Sequence, residues 1–310
     1  MSPDRPLLLV DGDNLAHRAY HSIPKTLRGS GGQPINSILG WTNMLLGLWE
    51  AEQPRAVFVA WDTLGVPTYR HKLWPEYQAG RVFDRELIEQ LGQLPELCRA
   101  FGFGVGKGPG YEADDYLAAA ALAETRRGGT VLILTNDRDA FQLVSEQVTV
   151  LWPRKGISDI VRVDAREVVE RFGVLPPQVP DYKALAGDSS DNIPGAKGIG
   201  PKGAAALLLR HGTLERVLEA DEGKLRAQAE QLLAFREMTR LKTDLPIDLP
   251  ESGPPNWPAA AAKLHELGAD ALAKRLDDRG QQRLLQRLQQ QSGGKAGPPT
   301  SEHVSRLGDT

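Results

Sequence analysis

Short apolar runs alternate with longer amphipathic stretches along the first half of the chain. The runs at 7–10 and 56–61 have the length and composition of buried strands. We expect strands at 7–11, 56–61, 103–106, 130–135, 148–152 and 159–163, and helices at about 34–51, 84–101 and 112–127, with a short helix after Asp139. This βα alternation predicts an α/β fold, with a mostly parallel central sheet flanked by helices.

The pattern changes after about residue 163. Four segments are predicted: an α/β core at 1–163, a helical region at 164–250, a linker with C-terminal helices at 251–291, and a tail at 292–310. Short helices and Gly/Pro turns dominate the second segment, with no convincing strand. The tail is rich in Gly, Pro and Ser, and we expect it to be disordered.

Nine carboxylates fall at the ends of predicted strands or the starts of helices, in five clusters. They are Asp11, Asp62, Glu112, Asp114, Asp115, Asp137, Asp139, Asp188 and Asp191. A helix cap or the helix dipole explains any single member. Five clusters at equivalent positions favour a site instead, because the carboxyl ends of parallel strands meet along one crevice. Within the third cluster, the spacing places Glu112 and Asp115 on one helical face and turns Asp114 away.

So many acids in one crevice repel one another unless cations lie among them. Oxygen ligands suit Mg²⁺-type ions that keep part of their water. Paired ions of this type serve in-line displacement at phosphorus. The pattern therefore predicts a metal-dependent phosphodiesterase.

The charge balance permits a nucleic-acid partner. The chain of 310 residues has 37 basic and 40 acidic residues, but without the nine clustered acids only 31 acidic residues remain. The rest of the surface is thus net basic, as a phosphate polymer requires.

Bulk composition narrows the class further. There is no apolar run near 18 residues and no signal peptide, so we expect no membrane association. The single Cys98 excludes an internal disulfide and is typical of a reducing cytoplasm. The six histidines show no zinc-type pairing.

The segment from Gly198 to Gly203 matches G-x-G-x-x-G, the dinucleotide-binding fingerprint. A turn-rich stretch precedes it where that fingerprint requires a strand. A helix–turn–helix connection is the better interpretation, with amides at the helix start and Lys197 and Lys202 available for a phosphate. A plain turn is the alternative.

The stretch from Tyr69 to Arg81 mixes basic and aromatic residues directly after Asp62. Such a composition suits contact with a nucleic-acid backbone and stacking on bases. A solvated amphipathic loop is its alternative.

Together these motifs resemble the 5′ nuclease family, which includes the 5′→3′ exonuclease domain of bacterial DNA polymerase I and the flap endonucleases. The colinear matches are Leu9–Gly12 with Arg18–Tyr20, Tyr77–Arg81, Gly110–Asp115, Asp137–Asp139 with Gln142–Leu143, Gly187–Gly195 and Gly198–Lys202. The likeness covers about residues 6–250. No polymerase or proofreading segment follows, so the chain resembles a free-standing member.

The resemblance implies roles for individual residues. The nine acids would serve the metal site, some of them through water, and Tyr77, Arg81 and Lys72 would act near the scissile phosphate. The implied DNA-binding residues are Arg18, Arg70, Gln78, Gly195, Lys197, Gly198, Gly200 and Lys202. Residues 195–202 would form a helix–three-turn–helix hairpin that grips duplex DNA and holds a K⁺. The family usually has Lys where this chain has Gln78.

The resulting prediction is a structure-specific 5′ nuclease of the cytoplasm that uses two Mg²⁺ (or Mn²⁺) ions. Its substrates would be DNA with 5′ flaps, nicks, gaps or RNA-primed ends, in replication and repair, and the protein would be a monomer. A PIN-like ribonuclease and a degenerate, non-catalytic DNA-binding paralogue are the alternatives.

Overall fold

The structure is a computed structural model that describes residues 5–80, 82–220 and 224–293. Six strands are present: β1 Leu7–Asp11, β2 Ala56–Ala60, β3 Gly104–Gly106, β4 Val131–Leu134, β5 Val148–Pro153 and β6 Ile160–Val163. The helices of the first half are α1 Gly12–Ser22, α2 Asn36–Glu52, α3 Tyr69–Leu73, α4 Arg85–Leu91, α5 Leu94–Ala100 and α6 Ala113–Arg126. Those of the second half are α7 Ala165–Phe172, α8 Val179–Ala186, α9 Pro201–His211, α10 Leu214–Ala220, α11 Ala229–Thr239, α12 Trp257–Glu266 and α13 Asp270–Gly293. Three 3₁₀ helices lie at Arg138–Leu143, Pro176–Gln178 and Arg226–Gln228.

The six strands form one sheet in the order β3-β2-β1-β4-β5-β6. The first five are parallel to their neighbours, and β6 runs antiparallel to β5. Asp11 pairs with Ala60 and Val10 with Leu134, so the ends of β1, β2 and β4 lie side by side at one edge. The predicted mostly parallel α/β sheet is confirmed.

Alternate residues of β1 face two separate cores. Leu7 and Leu9 point to the face that packs against α6 and the helical second half. Leu8 and Val10 point to the face covered by α1, α2, α5, α12 and α13. Because both faces are buried, the central strands are apolar at every position except Asp11, at the end of β1.

Two helices differ from the sequence prediction. The pattern predicts none at 12–22, yet α1 forms there, capped by the Asp11 carboxylate, which accepts a hydrogen bond from the Asn14 amide at 3.0 Å. The predicted helix at 84–101 is two helices, α4 and α5. The break falls at Gly92 and Gln93, two residues before Pro95, which has no amide hydrogen to donate.

The C-terminal helices return to the sheet. The segment before them is fixed to the core, since the Gly253 amide donates to the Arg55 carbonyl at 2.9 Å and the Arg55 guanidinium to the Pro250 carbonyl at 3.0 Å. The predicted stretch 259–291 is split into α12 and α13 by Gly268, whose φ is +74°. The buried ring of Trp257 packs edge-on against Trp49. Of the predicted disordered tail, residues 294–310 lie outside the described residues.

Candidate active site

The acidic cluster begins at the ends of β1 and β2. Asp11 is buried, and its second oxygen accepts a hydrogen bond from the Thr135 hydroxyl at 2.8 Å. Asp62 accepts from the Ala113 amide at 2.7 Å, which ties the end of β2 to the start of α6. Burial, reinforced by the charge of Asp62, raises the pKa of Asp11 to about 7.

The end of β4 supplies the next two acids. The Asp137 carboxylate caps the 3₁₀ helix by accepting from the Asp139 amide at 2.8 Å. Asp139 is buried, and burial raises its pKa to about 7 even though the ammonium of Lys183 opposes the shift. The structure thus brings Asp137 near Asp11 and Asp139 near Asp137, as the neighbouring positions of β1 and β4 in the sheet lead one to expect.

Asp114 has the surroundings that fit a bound cation most directly. One of its carboxylate oxygens is buried without a hydrogen-bond partner. Its pKa is raised well above the ordinary value by burial and by the charges of Asp137, Asp11, Asp139 and Asp62, in that order. An unpartnered carboxylate among four others fits a cation that joins them.

Asp115 shares a face with Glu112, as predicted, because both carboxylates contact Arg70, at 2.7 and 3.5 Å. Asp115 itself is turned away from the cluster, so the structure does not bring it to the metal site as expected. The fully buried Asp115 carboxylate accepts from both terminal nitrogens of Arg70, at 2.7 and 2.9 Å. It also accepts from the Glu112 amide at 3.1 Å and the Lys242 amide at 3.0 Å. Asp114, and not Asp115, therefore faces the other acids.

Glu112 joins the cluster through a hydrogen-bonded chain. Its carboxylate accepts from the Thr68 hydroxyl at 3.1 Å and the Tyr77 hydroxyl at 2.9 Å. The Gln78 amide donates to the Tyr77 oxygen at 2.8 Å and to Asp191 at 3.1 Å. Burial raises the pKa of Glu112 to about 7, although the charge of Arg70 opposes the shift.

The second half of the chain contributes Asp188 and Asp191 on the loop after α8. A buried lysine that the sequence pattern does not single out, Lys183, lies between the two halves. Its ammonium contacts Asp139 and lies 2.7 Å from Asp188. Burial would raise the pKa of Asp188, but Lys183 outweighs it and the pKa is lowered. A lysine in α8, a helix that is mostly apolar apart from Asp181 and Tyr182, is the signal that marks it.

Asp13 is a second residue absent from the predicted site. Its buried carboxylate accepts from the Asp62 amide at 2.8 Å. Burial and the charge of Asp62 raise its pKa well above the ordinary value. Its place two residues after Asp11, in the first turn of α1, could have identified it.

The predicted DNA-contacting cations of the first half are placed differently from expectation. Arg70 is only 2% exposed and fully engaged, its third nitrogen donating to the Met238 carbonyl at 2.8 Å, so it is a structural residue and the prediction for it is wrong. Arg18 is partly buried and donates to Asn136 and to the Pro153 carbonyl. Lys72 is exposed on α3. Arg81 lies outside the described residues.

Residues 195–202 form the turn between helices α8 and α9. The Ala196 amide donates to the Leu185 carbonyl at 2.8 Å, and Gly200 is the N-cap of α9. Gly195 and Gly198 have φ of +75° and +84°. Lys197, Gly198, Gly200 and Lys202 are exposed. The helix–turn–helix interpretation is confirmed, because a turn and not a strand precedes the glycines.

These acids fit hydrated divalent ions better than a dehydrated metal. In the described part of the chain, no three Asp, Glu, His or Cys side chains converge tightly enough to hold an ion alone. Mg²⁺ keeps several waters and needs only one or two direct carboxylates besides substrate phosphates.

No described helix is long and apolar enough to cross a membrane.

The models of two protein families match consecutive parts of the chain. "5′-3′ exonuclease, N-terminal resolvase-like domain" matches residues 6–173, and "5′-3′ exonuclease, C-terminal SAM fold" matches residues 174–254.

Curated relatives are longer proteins. DNA polymerase I of Mycobacterium tuberculosis is 40% identical over 250 residues, which cover 78% of this chain and 28% of the relative. The thermostable DNA polymerase I of Thermus thermophilus is 38% identical over 276 residues, covering 86% and 32%. The chain spans less than a third of the length of these relatives.

Solved structures share the fold. The bacteriophage T5 5′-exonuclease with bound zinc ions superimposes with a TM-score of 0.65 at 22% identity, covering 88% of this chain and 98% of that one. The catalytic core of Rad2 in complex with DNA substrate has a TM-score of 0.55 at 16% identity, covering 88% and 93%.

Proposed function

Since the chain belongs to the 5′-3′ exonuclease family, we propose that it is a structure-specific nuclease that hydrolyses DNA phosphodiester bonds with divalent metal ions. The observation that carries this proposal is the buried, unpartnered oxygen of Asp114 among four further carboxylates. Buried carboxylate oxygens are normally hydrogen-bonded within the protein, so this unpaired oxygen points to a partner from outside the chain.

The acids would hold the ions in two adjoining groups. Asp11, Asp62, Glu112, Asp114 and Asp137 form the first, and Asp139, Asp188 and Asp191 the second. Oxygen-only donors suit Mg²⁺, with Mn²⁺ as its substitute. When bound, such ions activate water and stabilise the leaving oxygen in an in-line displacement.

The surrounding side chains fix these carboxylates in advance. Thr135 orients Asp11, the Ala113 amide orients Asp62, and the Tyr77 hydroxyl orients Glu112. Ligand oxygens held by such outer hydrogen bonds do not have to reorganise when cation and phosphate arrive. Arg81 stays the sequence-based candidate for the cation that meets the transferring phosphate.

The hairpin at 195–202 supports a duplex partner. Two exposed lysines flank a helix N-terminus whose amides have no side chain over them at Gly200, so a phosphate can approach the backbone. We propose that this turn binds the duplex part of the substrate, with K⁺ at its carbonyls. Gln142 bonds to Thr239 and Leu241, which ties the end of α11 in the helical second half to the 3₁₀ helix that carries Asp139.

Within the DNA class, the proposed substrates are 5′ flaps, nicked or gapped duplexes and RNA-primed ends, cleaved by a monomer in the cytoplasm. The polymerase relatives and the DNA complexes of the fold neighbours support replication and repair as the setting.

One comparison of substrates tests the proposal. A 5′-labelled flap duplex and a single-stranded RNA of the same sequence are incubated with the protein in Mg²⁺ or in EDTA, with Asp114→Asn as the matched variant. Cleavage of the flap alone, dependent on Mg²⁺ and lost in Asp114→Asn, is expected. Preferred cleavage of the RNA would support the PIN-like ribonuclease. Duplex binding with no cleavage of either would support the non-catalytic paralogue.

A further inference from the structure

Two segments from opposite halves of the chain are fastened together over the acids. The gateway segment, residues 74–79, meets the acid loop, residues 187–193, which carries Asp188 and Asp191. The Asn192 side-chain amide donates to the Glu76 carbonyl at 3.0 Å and to the Ala79 carbonyl at 3.3 Å. In return, the Trp74 indole donates to the Asn192 carbonyl at 3.1 Å.

A second contact joins the same two segments deeper in the site. The Gln78 side-chain amide donates to Asp191 at 3.1 Å and to the Tyr77 hydroxyl at 2.8 Å, and that hydroxyl donates to Glu112 at 2.9 Å. One neutral amide thus links an acid of the second half to an acid of the first. A lysine could not reproduce this link without placing a positive charge against Asp191.

The backbone is strained on both sides of the contact. Among the residues that the structure describes, three other than glycine have left-handed backbones: Gln53, Gln78 and Asn192, with φ of 47°, 51° and 58°. Two of the three face each other here. Such conformations persist only where surrounding contacts hold them, and they concentrate at functional sites.

We propose that Asn192 and Gln78 are positioning residues that latch the gateway segment to the acid loop, so that binding of a divalent ion and closure of the gateway segment favour each other. The inference rests on the proposed function, since the acids matter only if they hold ions. Neither side chain needs to touch the ion; each acts through a neighbour, Gln78 through Asp191 and Tyr77, Asn192 through the backbone of the gateway segment.

Variants can separate the effect of the side-chain amides from the effect of the strained backbone. Asn192→Gly deletes the side-chain donor but accepts a left-handed backbone without strain. Gln78→Leu deletes the other donor at similar size. Gln53→Gly, at the left-handed end of α2, is the control for releasing strain away from the site.

The 310-residue chain is titrated with Mn²⁺ by calorimetry, and amide hydrogen exchange is measured with and without Mn²⁺. Asn192→Gly and Gln78→Leu should each weaken Mn²⁺ binding by about 10-fold. In both, exchange in residues 74–79 should become faster, and Mn²⁺ should slow it less than in the wild type. The double variant should be no weaker than the worse single variant, because both remove one latch. Gln53→Gly should change neither quantity.

Unchanged Mn²⁺ affinity in both single variants would overturn the latch, as would exchange in residues 74–79 that stays the same. A wild type that binds Mn²⁺ and shows this coupling but cleaves no flap duplex would overturn the proposed function and leave the latch standing. A wild type that binds no Mn²⁺ would overturn both.

Discussion

Asp115 directs both carboxylate oxygens at the guanidinium of Arg70, at 2.7 and 2.9 Å, while its neighbour Asp114 leaves one buried oxygen without a partner. Adjacent acids at the start of α6 therefore have opposite roles. Asp115 stabilises the fold, whereas Asp114 is proposed to bind a divalent cation.

Loss of Asp115 should destabilise the protein. Asp115→Asn leaves the buried guanidinium of Arg70 with only Glu112, 3.5 Å away, to balance its charge. We expect the free energy of unfolding to fall by about 3 kcal/mol, the cost of breaking a buried ion pair from one side. Urea denaturation in EDTA measures it. A change below about 0.5 kcal/mol would contradict the structural role.

Loss of Asp114 should act on catalysis instead. Asp114→Asn removes a repelled, buried charge, so the free energy of unfolding in EDTA should stay equal or rise. Mg²⁺ or Mn²⁺ should bind about 10- to 100-fold more weakly, by analogy with losses at supporting positions of metal sites, and flap cleavage should fall at least as far. Single-turnover cleavage and calorimetric titration measure these changes, and wild-type metal affinity in the variant would refute the assignment.

Lys183 should contribute more to the stability of the fold when no metal ion is bound than when one is. Lys183→Met leaves Asp139 and Asp188 facing each other without the ammonium, so we expect a loss of about 3 kcal/mol in EDTA. Added Mg²⁺ should raise the melting temperature of this variant more than that of the wild type, because the ion replaces part of the missing charge.

The control for that comparison is Lys263→Met, which removes the exposed pair with Glu266 at 2.7 Å and should cost about 0.5 kcal/mol or less. If Mg²⁺ raises the melting temperature of Lys183→Met and of the wild type equally, the Lys183 ammonium does not lie where a metal ion would bind.

Two glycines of the hairpin should respond in different ways. A Cβ at Gly195 would lie 2.4 Å from the Gly187 nitrogen, and φ is +75°, so Gly195→Ala should disturb the loop and lower stability. Gly200 has an ordinary φ of −98° and open space where its Cβ would lie, so Gly200→Val should fold normally. Its branched side chain would cover the amides of α9 and weaken binding of a flap duplex. Fluorescence anisotropy checks the affinity, and thermal melting checks the fold. Unchanged affinity for the duplex in Gly200→Val would mean that the turn does not contact DNA.

Local patterns suffice for most of the sheet and for the gathering of the acids. Short apolar runs such as 7–10 and 131–134 form buried strands. Their parallel order in the sheet brings the strand ends together, whatever the detailed packing. The helix–turn–helix at 195–202 follows equally from the absence of a strand before Gly198.

Contacts between distant residues decide what those patterns leave open. Whether Asp114 or Asp115 faces the crevice depends on the rotation of α6, which Arg70 and the Lys242 amide fix from other parts of the chain. The role of Lys183 likewise depends on residues outside its own helix, Asp139 and Asp188, which lie 44 and 5 residues away in the sequence. Helix α1 is hard to predict because its apolar face is short and its first turn, Gly12 to Asn14, has the composition of a turn.

The return of α12 and α13 to the sheet has a consequence for synthesis of the chain. Leu8 and Val10 lie in β1, far upstream of α12, yet their face of the sheet shares its core with Trp257 and Leu264. During synthesis, N-terminal segments leave the ribosome first, and a domain generally folds as a unit. The hydrophobic core on this face of β1 is therefore complete only once α12 and α13 have been synthesised.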